Sequence, residues 1–137
     1  MSSDGTKVAI GATYNDGNGS EDVGHGRVNQ YASGSWKKLG SDIDGEAADD
    51  YSAWSVSMSG DGTKVAIGAT YNDGNGANSG HVRVYQYASG SWTQLGSDID
   101  GAAAGDYSGW SVSMRSDGTK VAIGATYNDG NGSDEGG

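Results

Sequence analysis

Apolar residues alternate with polar or small residues in short runs along the chain. In the clearest run, Trp54, Val56 and Met58 are separated by two serines. A period of two is that of a β-strand, and no window shows the 3.6-residue period of a helix. Four such runs follow one another in one part of the chain: residues 54–58, 63–71, 81–87, and 91–95 or on to 99. The pattern therefore predicts an all-β chain.

The connections between these runs predict how the strands are joined. Asp61-Gly62 favours a tight hairpin between the first two strands, because a glycine there adopts positive φ without strain. Residues 72–80 form a longer Gly/Asn loop, and Ser89-Gly90 closes the next hairpin. Four antiparallel strands joined in order make a meander, which is one blade of a β-propeller. One face of the second strand carries only small residues, which would let a neighbouring sheet approach closely.

The chain is repetitive. The block DGTKVAIGATYNDGNG occurs three times without change, at residues 4–19, 61–76 and 117–132. The offsets of 57 and 56 residues are a little longer than the period of a four-stranded blade. We expect a partial blade at 1–52, a complete blade at 53–100, and a partial blade at 101–137 that ends in a flexible acidic tail from residue 128. Such identity is typical of recent duplication or of deliberate construction.

Three segments carry a resemblance to a known family. Residues 110–114 (WSVSM), followed by Asp117-Gly118 and residues 121–126 (VAIGAT), resemble the FG-GAP repeat of integrin-α-type β-propellers, and residues 80–85 (GHVRVY) are similar to its next strand. Tryptophan replaces the phenylalanine of the motif, and threonine replaces its proline. The resemblance implies a propeller in which strand one of each blade is innermost, and a parent protein outside the cell or at its surface.

Strand counting under this resemblance predicts self-assembly. The chain would supply nine strands where two blades need eight, and the surplus is a second copy of strand two. The two ends complement each other, so one subunit would complete the first blade of the next and displace one copy of that strand. Two blades per subunit give a six-bladed homotrimer or an eight-bladed homotetramer. We therefore expect a non-enzymatic chain whose partner is itself.

Composition limits the other partners. Val, Ile and Leu are few and the net charge is −10, which favours disorder, but the alternating pattern and twelve Trp and Tyr residues favour a folded chain. Eight Lys and Arg are too few for nucleic acid or an anionic membrane. There is no cysteine, no apolar run long enough to span a membrane and no export signal, so we expect a soluble chain.

The family resemblance makes calcium the cofactor to consider, because many FG-GAP repeats carry a loop that binds this ion. The family's ion-binding loop is replaced here by a short turn with one carboxylate, Asp61, so no ion is expected there. An acidic cluster present in both repeats, at residues 42–50 and 98–106, supplies the candidate ligands. Tight turns use the same residue types, and this turn interpretation is favoured more strongly still for a second cluster at residues 72–76. The candidate ligands are Asp42, Asp44, Asp49, Asp98, Asp100 and Asp106.

No catalytic set is evident. His25 and His81 occupy equivalent repeat positions, which favours a role at the strand surface or between blades. The alternative to self-assembly is a calcium-assisted adhesion or carbohydrate-binding propeller. In that alternative, the eight tyrosines would line clefts between blades together with four tryptophans: Trp36, Trp54, Trp92 and Trp110. No cofactor is otherwise expected.

Overall fold

The computed structural model describes residues 1–16, 19 and 21–129, and all regular structure in them is β. The tail that the sequence predicts to be flexible lies outside the described residues from position 130 onwards. No helix that could cross a membrane occurs in the described part of the chain. The strands are β1 (Lys7–Ala12), β2 (His25–Ala32), β3 (Ser35–Lys38), β4 (Ile43–Asp44), β5 (Ser52–Met58), β6 (Lys64–Ala69), β7 (His81–Ala88), β8 (Ser91–Gln94), β9 (Ile99–Asp100), β10 (Ser108–Met114) and β11 (Val121–Ala125).

These strands form three antiparallel sheets in chain order. The first sheet has the order β1-β2-β3, with β4 also pairing with β2. The second sheet has the order β5-β6-β7-β8, with β9 also pairing with β7, and the third contains β10 and β11. The predicted all-β class and antiparallel meanders are confirmed. Completion of a propeller by further subunits, and the domain boundaries given above, stay predictions.

The fourth strand of each blade differs from the prediction, because it is divided in two. β8 pairs with the end of β7, from Tyr85 to Ala88, and β9 pairs with its beginning at His81 and Val82. The break includes Gly96, whose φ of +78° turns the chain out of the extended conformation. The bulged segment carries Asp98 towards β7. When each divided strand is counted once, the described residues form nine strands, the number that the sequence predicts.

The hairpin between β5 and β6 is held by an Asp-Gly turn, as predicted. One oxygen of Asp61 accepts hydrogen bonds from the Thr63 amide at 3.0 Å and hydroxyl at 2.7 Å, while Gly62 has a φ of +72°. The Ser59 hydroxyl donates to the same oxygen at 2.9 Å. Because these bonds stabilise the ionised carboxylate, the pKa of Asp61 falls to about 2. Asp4 and Asp117 make the same bonds to the threonine two residues ahead in their own blocks.

The sheets pack closely where the small residues of strand two meet the next strand one. A Cβ added to Gly68 would lie 2.3 Å from the carbonyl oxygen of Gly109, and one added to Gly11 would lie 2.2 Å from that of Ala53. Both Ala53 and Gly109 have positive φ and lie at a β-bulge in strand one. The glycines therefore permit a contact that any side chain would prevent. This agrees with the close approach inferred from the sequence.

The core lies between the first and second sheets. Ile43, Ala53, Val65 and Ile67 are buried there, and Trp92 packs against them. An aromatic belt, defined as the six rings Tyr51, Tyr71, Trp54, Tyr107, Trp110 and Tyr127, continues across the sheets on the strand-one side. Successive centroids are 4.8 to 6.1 Å apart, with tilted or edge-on planes. In a chain without Phe, these rings add aromatic packing between the sheets to that of the aliphatic core.

Candidate functional site

A group of charged side chains lies where the first and second sheets meet. His81 begins β7, and Arg83 follows it on the same face of the strand. Asp98 and Asp100 reach this face from the divided fourth strand, because the bulge turns the chain back towards β7. Glu46 comes from the other sheet, in the segment that joins β4 to β5. These five residues are called the joint cluster below.

Arg83 holds the carboxylates of the joint cluster. Its Nε and Nη2 atoms donate to the two oxygens of Asp98 at 2.7 and 2.9 Å. Its Nη2 also lies 3.2 Å from Oε1 of Glu46, so one guanidinium joins the two sheets. This bidentate arrangement keeps the pKa of Asp98 at about 2, and the carboxylate is therefore ionised at neutral pH.

His81 is buried beside these charges. Its Nδ1 has no hydrogen-bond partner in the described part of the chain. The nearest carboxylate oxygens are Oδ2 of Asp98 at 3.9 Å and Oδ1 of Asp100 at 4.0 Å, which is too far for a hydrogen bond. Burial lowers the pKa of His81, and the positive charge of Arg83 lowers it further. The imidazole is therefore neutral at pH 7.

Asn72, which lies in the second copy of the repeated block, also connects the two sheets at this joint. Its Nδ2 donates to Oε2 of Glu46 at 3.0 Å and to Oδ2 of Asp50 at 2.8 Å, while its Oδ1 accepts from the Gly74 amide. Burial raises the pKa of Asp50. In the first copy of the block, the equivalent Oδ1 of Asn15 is buried without a partner among the described residues. Identical sequence thus has different contacts in different copies.

The six aspartates proposed from the sequence as candidate metal ligands lie in two repeats, and their contacts differ. Asp42 is bound by Arg27, with two contacts of 2.8 Å, and by Lys38 at 3.2 Å. Asp49 is exposed in a turn with a φ of +61°, and the buried Asp106 accepts from the Ala103 amide at 2.9 Å. Asp44 and Asp100 end the short strands β4 and β9.

Within the described residues, one group of three possible ligands lies close together: Glu46, His81 and Asp98, with all ligand atoms within 4.8 Å of one another. Asp98 is the one member of this group that the sequence proposed. The sequence interpretation placed His81 at a strand surface or blade interface, and the interface is where it lies. Glu46 was missed, although it stands where the next repeat has Ala102. This difference between the two repeats is the signal in the sequence that could have identified Glu46.

An open cleft of about 310 Å³ lies on the outer side of the same joint. Tyr85 and Trp92 of the second sheet form one wall, and Asp42, Ile43 and Asp44 of the first sheet are part of the other. The Trp92 indole nitrogen donates to the Leu39 carbonyl at 2.8 Å, which fixes the orientation of the ring. Of the four tryptophans proposed to line clefts between blades, Trp92 does so here.

Comparison with known proteins agrees with these repeated, closely packed sheets. The model of the FG-GAP repeat matches residues 41–85 and 98–137, which is more than half of the chain. A comparison with curated proteins finds no match. The two matched segments include the joint cluster, the second sheet from the start of β5 to Tyr85 in β7, and the strand-one contact at Gly109. The chain therefore belongs to the FG-GAP repeat family.

Proposed function

We propose that this chain is a non-enzymatic propeller segment that assembles with copies of itself. The second sheet of one copy would pack on the first sheet of the next copy, as the first and second sheets pack within the chain. The proposal rests on two open faces that repeat the two sides of the internal joint. Any blade with the same sequence pattern could occupy them, and in a solution of this chain another copy supplies that blade.

The first open face lies on the first sheet and consists of Ile10, Tyr31 and Trp36. Ile67 is 3% exposed at the internal joint, whereas Ile10, at the same repeat position, is 48% exposed. Trp92 donates to the Leu39 carbonyl across that joint, whereas the equivalent Trp36 is 49% exposed. The first open face therefore carries the same residues as the face that the second sheet contributes to the internal joint.

The second open face lies on the second sheet and consists of Leu95 and Ile99. Ile43 is 6% exposed because the second sheet covers it, whereas the equivalent Ile99 is 40% exposed. Leu95, the equivalent of Leu39, is 43% exposed. Moving large apolar side chains out of water lowers the free energy of the system, so contact between these faces would be favourable. This single observation, two exposed faces that match the two sides of a joint already formed, carries the proposal.

The contact would be head-to-tail, because the two faces differ. It would bring β10 of one copy to the open edge of β1 in the next, where a strand one is needed. In that blade, β1 and the neighbour's β11 would compete for the position of strand two. With two blades per subunit, the ring would close with three or four subunits.

Two matched variants test the proposal. Trp36→Asp places a charge on the first open face and Leu95→Asp on the second, and both side chains are exposed in the single chain. In sedimentation velocity, we expect the parent chain to have three or four times its mass of 13.9 kDa and each variant to be a monomer. Mixing the two variants should give a 1:1 dimer, because one intact face of each kind remains.

The controls separate assembly from folding. Circular dichroism should show the same β-structure in both variants as in the parent chain. A parent chain that stays a folded monomer at about 100 µM would contradict the proposal, because the dissociation constant of the interface would then lie above that concentration. Failure of the mixed variants to form a dimer would contradict the head-to-tail arrangement.

The outer cleft favours carbohydrate binding as a second candidate function. Its aromatic wall can pack on a sugar ring, while Ser41 and Asp42 offer hydrogen-bond partners. A glycan array in calcium or in chelator, followed by tryptophan fluorescence titration of any bound sugar, tests this function. Trp92→Ala should abolish binding and Trp54→Ala should not, because Trp54 is absent from the cleft lining. Equal loss in both variants would contradict it.

A further inference from the structure

We propose that the joint cluster binds one divalent transition-metal ion of the zinc class, with His81, Asp98 and Glu46 as ligands. Their candidate atoms lie within 4.8 Å of one another. Ligands of a tetrahedral zinc ion lie about 3.3 Å apart, since each bond is about 2.0–2.1 Å. Binding would therefore require a contraction of up to about 1.5 Å. Glu46 can supply this movement, because its side chain is 47% exposed.

His81 provides the independent indication of a ligand. Its side chain is 4% exposed, and its Nδ1 has no hydrogen-bond partner in the described part of the chain. An imidazole nitrogen buried without a partner costs about 1–3 kcal/mol. The nitrogen faces Asp98 at 3.9 Å and Asp100 at 4.0 Å. A cation beside this nitrogen would bind the imidazole together with the Asp98 and Glu46 carboxylates, which belong to the same group of close ligand atoms.

The charges of the joint cluster favour a cation. Glu46, Asp98 and Asp100 supply three carboxylates, and Arg83 supplies one positive charge. A carboxylate oxygen has two lone pairs, so it can accept from Arg83 and still bind a metal. Arg83 would then hold the ligands in position from outside the metal site. An imidazole with carboxylates suits zinc, cobalt or nickel, whereas calcium takes six to eight oxygen ligands.

The first sheet contains a natural control for this site. His25 also has a buried Nδ1 without a partner among the described residues, 3.9 Å from Oδ2 of Asp42. The repeat position that corresponds to Glu46 is occupied by Ala102, so no glutamate of this kind would face His25 in an assembly either. We therefore infer one ion per chain, bound at the internal joint, whether or not copies assemble.

Cobalt(II) is a suitable probe, because its visible absorption reports the number and geometry of its ligands. Tag-free, metal-free protein at pH 7.5 should bind one equivalent per chain, and zinc should displace it. Glu46→Ala and His81→Gln should each weaken binding at least about tenfold. His25→Gln should bind as the parent chain does. Glu46→Ala is the key variant, because alanine already stands at the equivalent position 102 and should not disturb folding.

The outcomes are separable from those for self-assembly, because metal stoichiometry and subunit mass are measured independently. No saturable binding by the parent chain below about 100 µM cobalt or zinc would overturn the site. Unchanged affinity in Glu46→Ala would also overturn it, since the ion would then be bound elsewhere. If His81→Gln unfolds, as circular dichroism would show, the Glu46→Ala result alone decides.

Discussion

The glycine contact between sheets predicts a large effect for one added methyl group. In Gly68→Ala, the new Cβ would lie 2.3 Å from the carbonyl oxygen of Gly109 and 2.7 Å from the Ser55 hydroxyl. The carbonyl belongs to the backbone, so it cannot move without moving the third sheet. The same Ser55 hydroxyl donates to this carbonyl at 2.8 Å, and the methyl group would disturb that bond.

The expected cost follows from these distances. Contact between a carbon and an oxygen is comfortable near 3.3 Å, so the two sheets must separate by about 1 Å. Overpacking of this kind costs about 1–3 kcal/mol, and the disturbed hydrogen bond adds about 1 kcal/mol. Alanine also lowers the conformational entropy of the unfolded chain, which offsets about 0.4–1 kcal/mol of this loss. The free energy of unfolding should therefore fall by about 1–3 kcal/mol, or roughly 4–12 °C in Tm.

The third copy of the block provides the matched control. Gly124→Ala makes the same substitution in the same local sequence, but the nearest atom is Ser111 Oγ at 2.5 Å, a side chain that can rotate away. We expect its Tm to change by less than about 2 °C at dilute, monomeric concentration. Thermal unfolding followed by circular dichroism measures both variants. A Gly68→Ala chain as stable as the parent, or equal losses in both variants, would refute the close-packing argument.

Three further substitutions, two of them with a matched control variant, test other contacts. Ser57→Ala removes an acceptor for an amide of β10 at 2.9 Å and should cost about 1–2 kcal/mol in denaturant unfolding, whereas the exposed Ser113→Ala should cost almost nothing. Asn72→Ala leaves two carboxylates without their shared donor, and calorimetry should show a loss of about 2 kcal/mol, clearly more than Asn15→Ala causes. Asp98 has a pKa of about 2 in the folded chain and near 4 when unfolded, so its stabilisation is complete above pH 4 and is lost as the pH falls towards 2. Asp98→Asn in metal-free buffer should therefore lower the Tm at pH 7 by a few degrees, and the difference from the parent should shrink at acid pH; a constant difference would show that the charge is not responsible.

The strands could be predicted because their signals are local. The alternation around Trp54 and the Asp61-Gly62 turn depend on neighbouring residues, and the repeats showed the same signals again. The role of Gly68 was also accessible, since a strand face without side chains has few uses other than close packing. These inferences required no knowledge of which sheet lies beside which.

The joint cluster depends on contacts between sheets, so local patterns could not place it. Glu46 and Asp98 are 52 positions apart, and they meet because the first sheet lies against the second. The division of the fourth strand was missed for a related reason. Asp98 turns out of the strand to bind Arg83, and strand propensity contains no information about that ion pair. The acidic clusters are visible in the sequence, but the partners of the aspartates are not.

The aromatic belt gives this protein an optical property. Trp54 and Trp110 have ring centroids 5.1 Å apart with an interplanar angle of 47°, a geometry in which the indole transitions couple and give a paired positive and negative band in circular dichroism. Each strand-one tryptophan that packs beside another adds one such coupled pair. The amplitude of this band, measured per chain, therefore reports how many joints bring two strand-one tryptophans together in solution, without any added label.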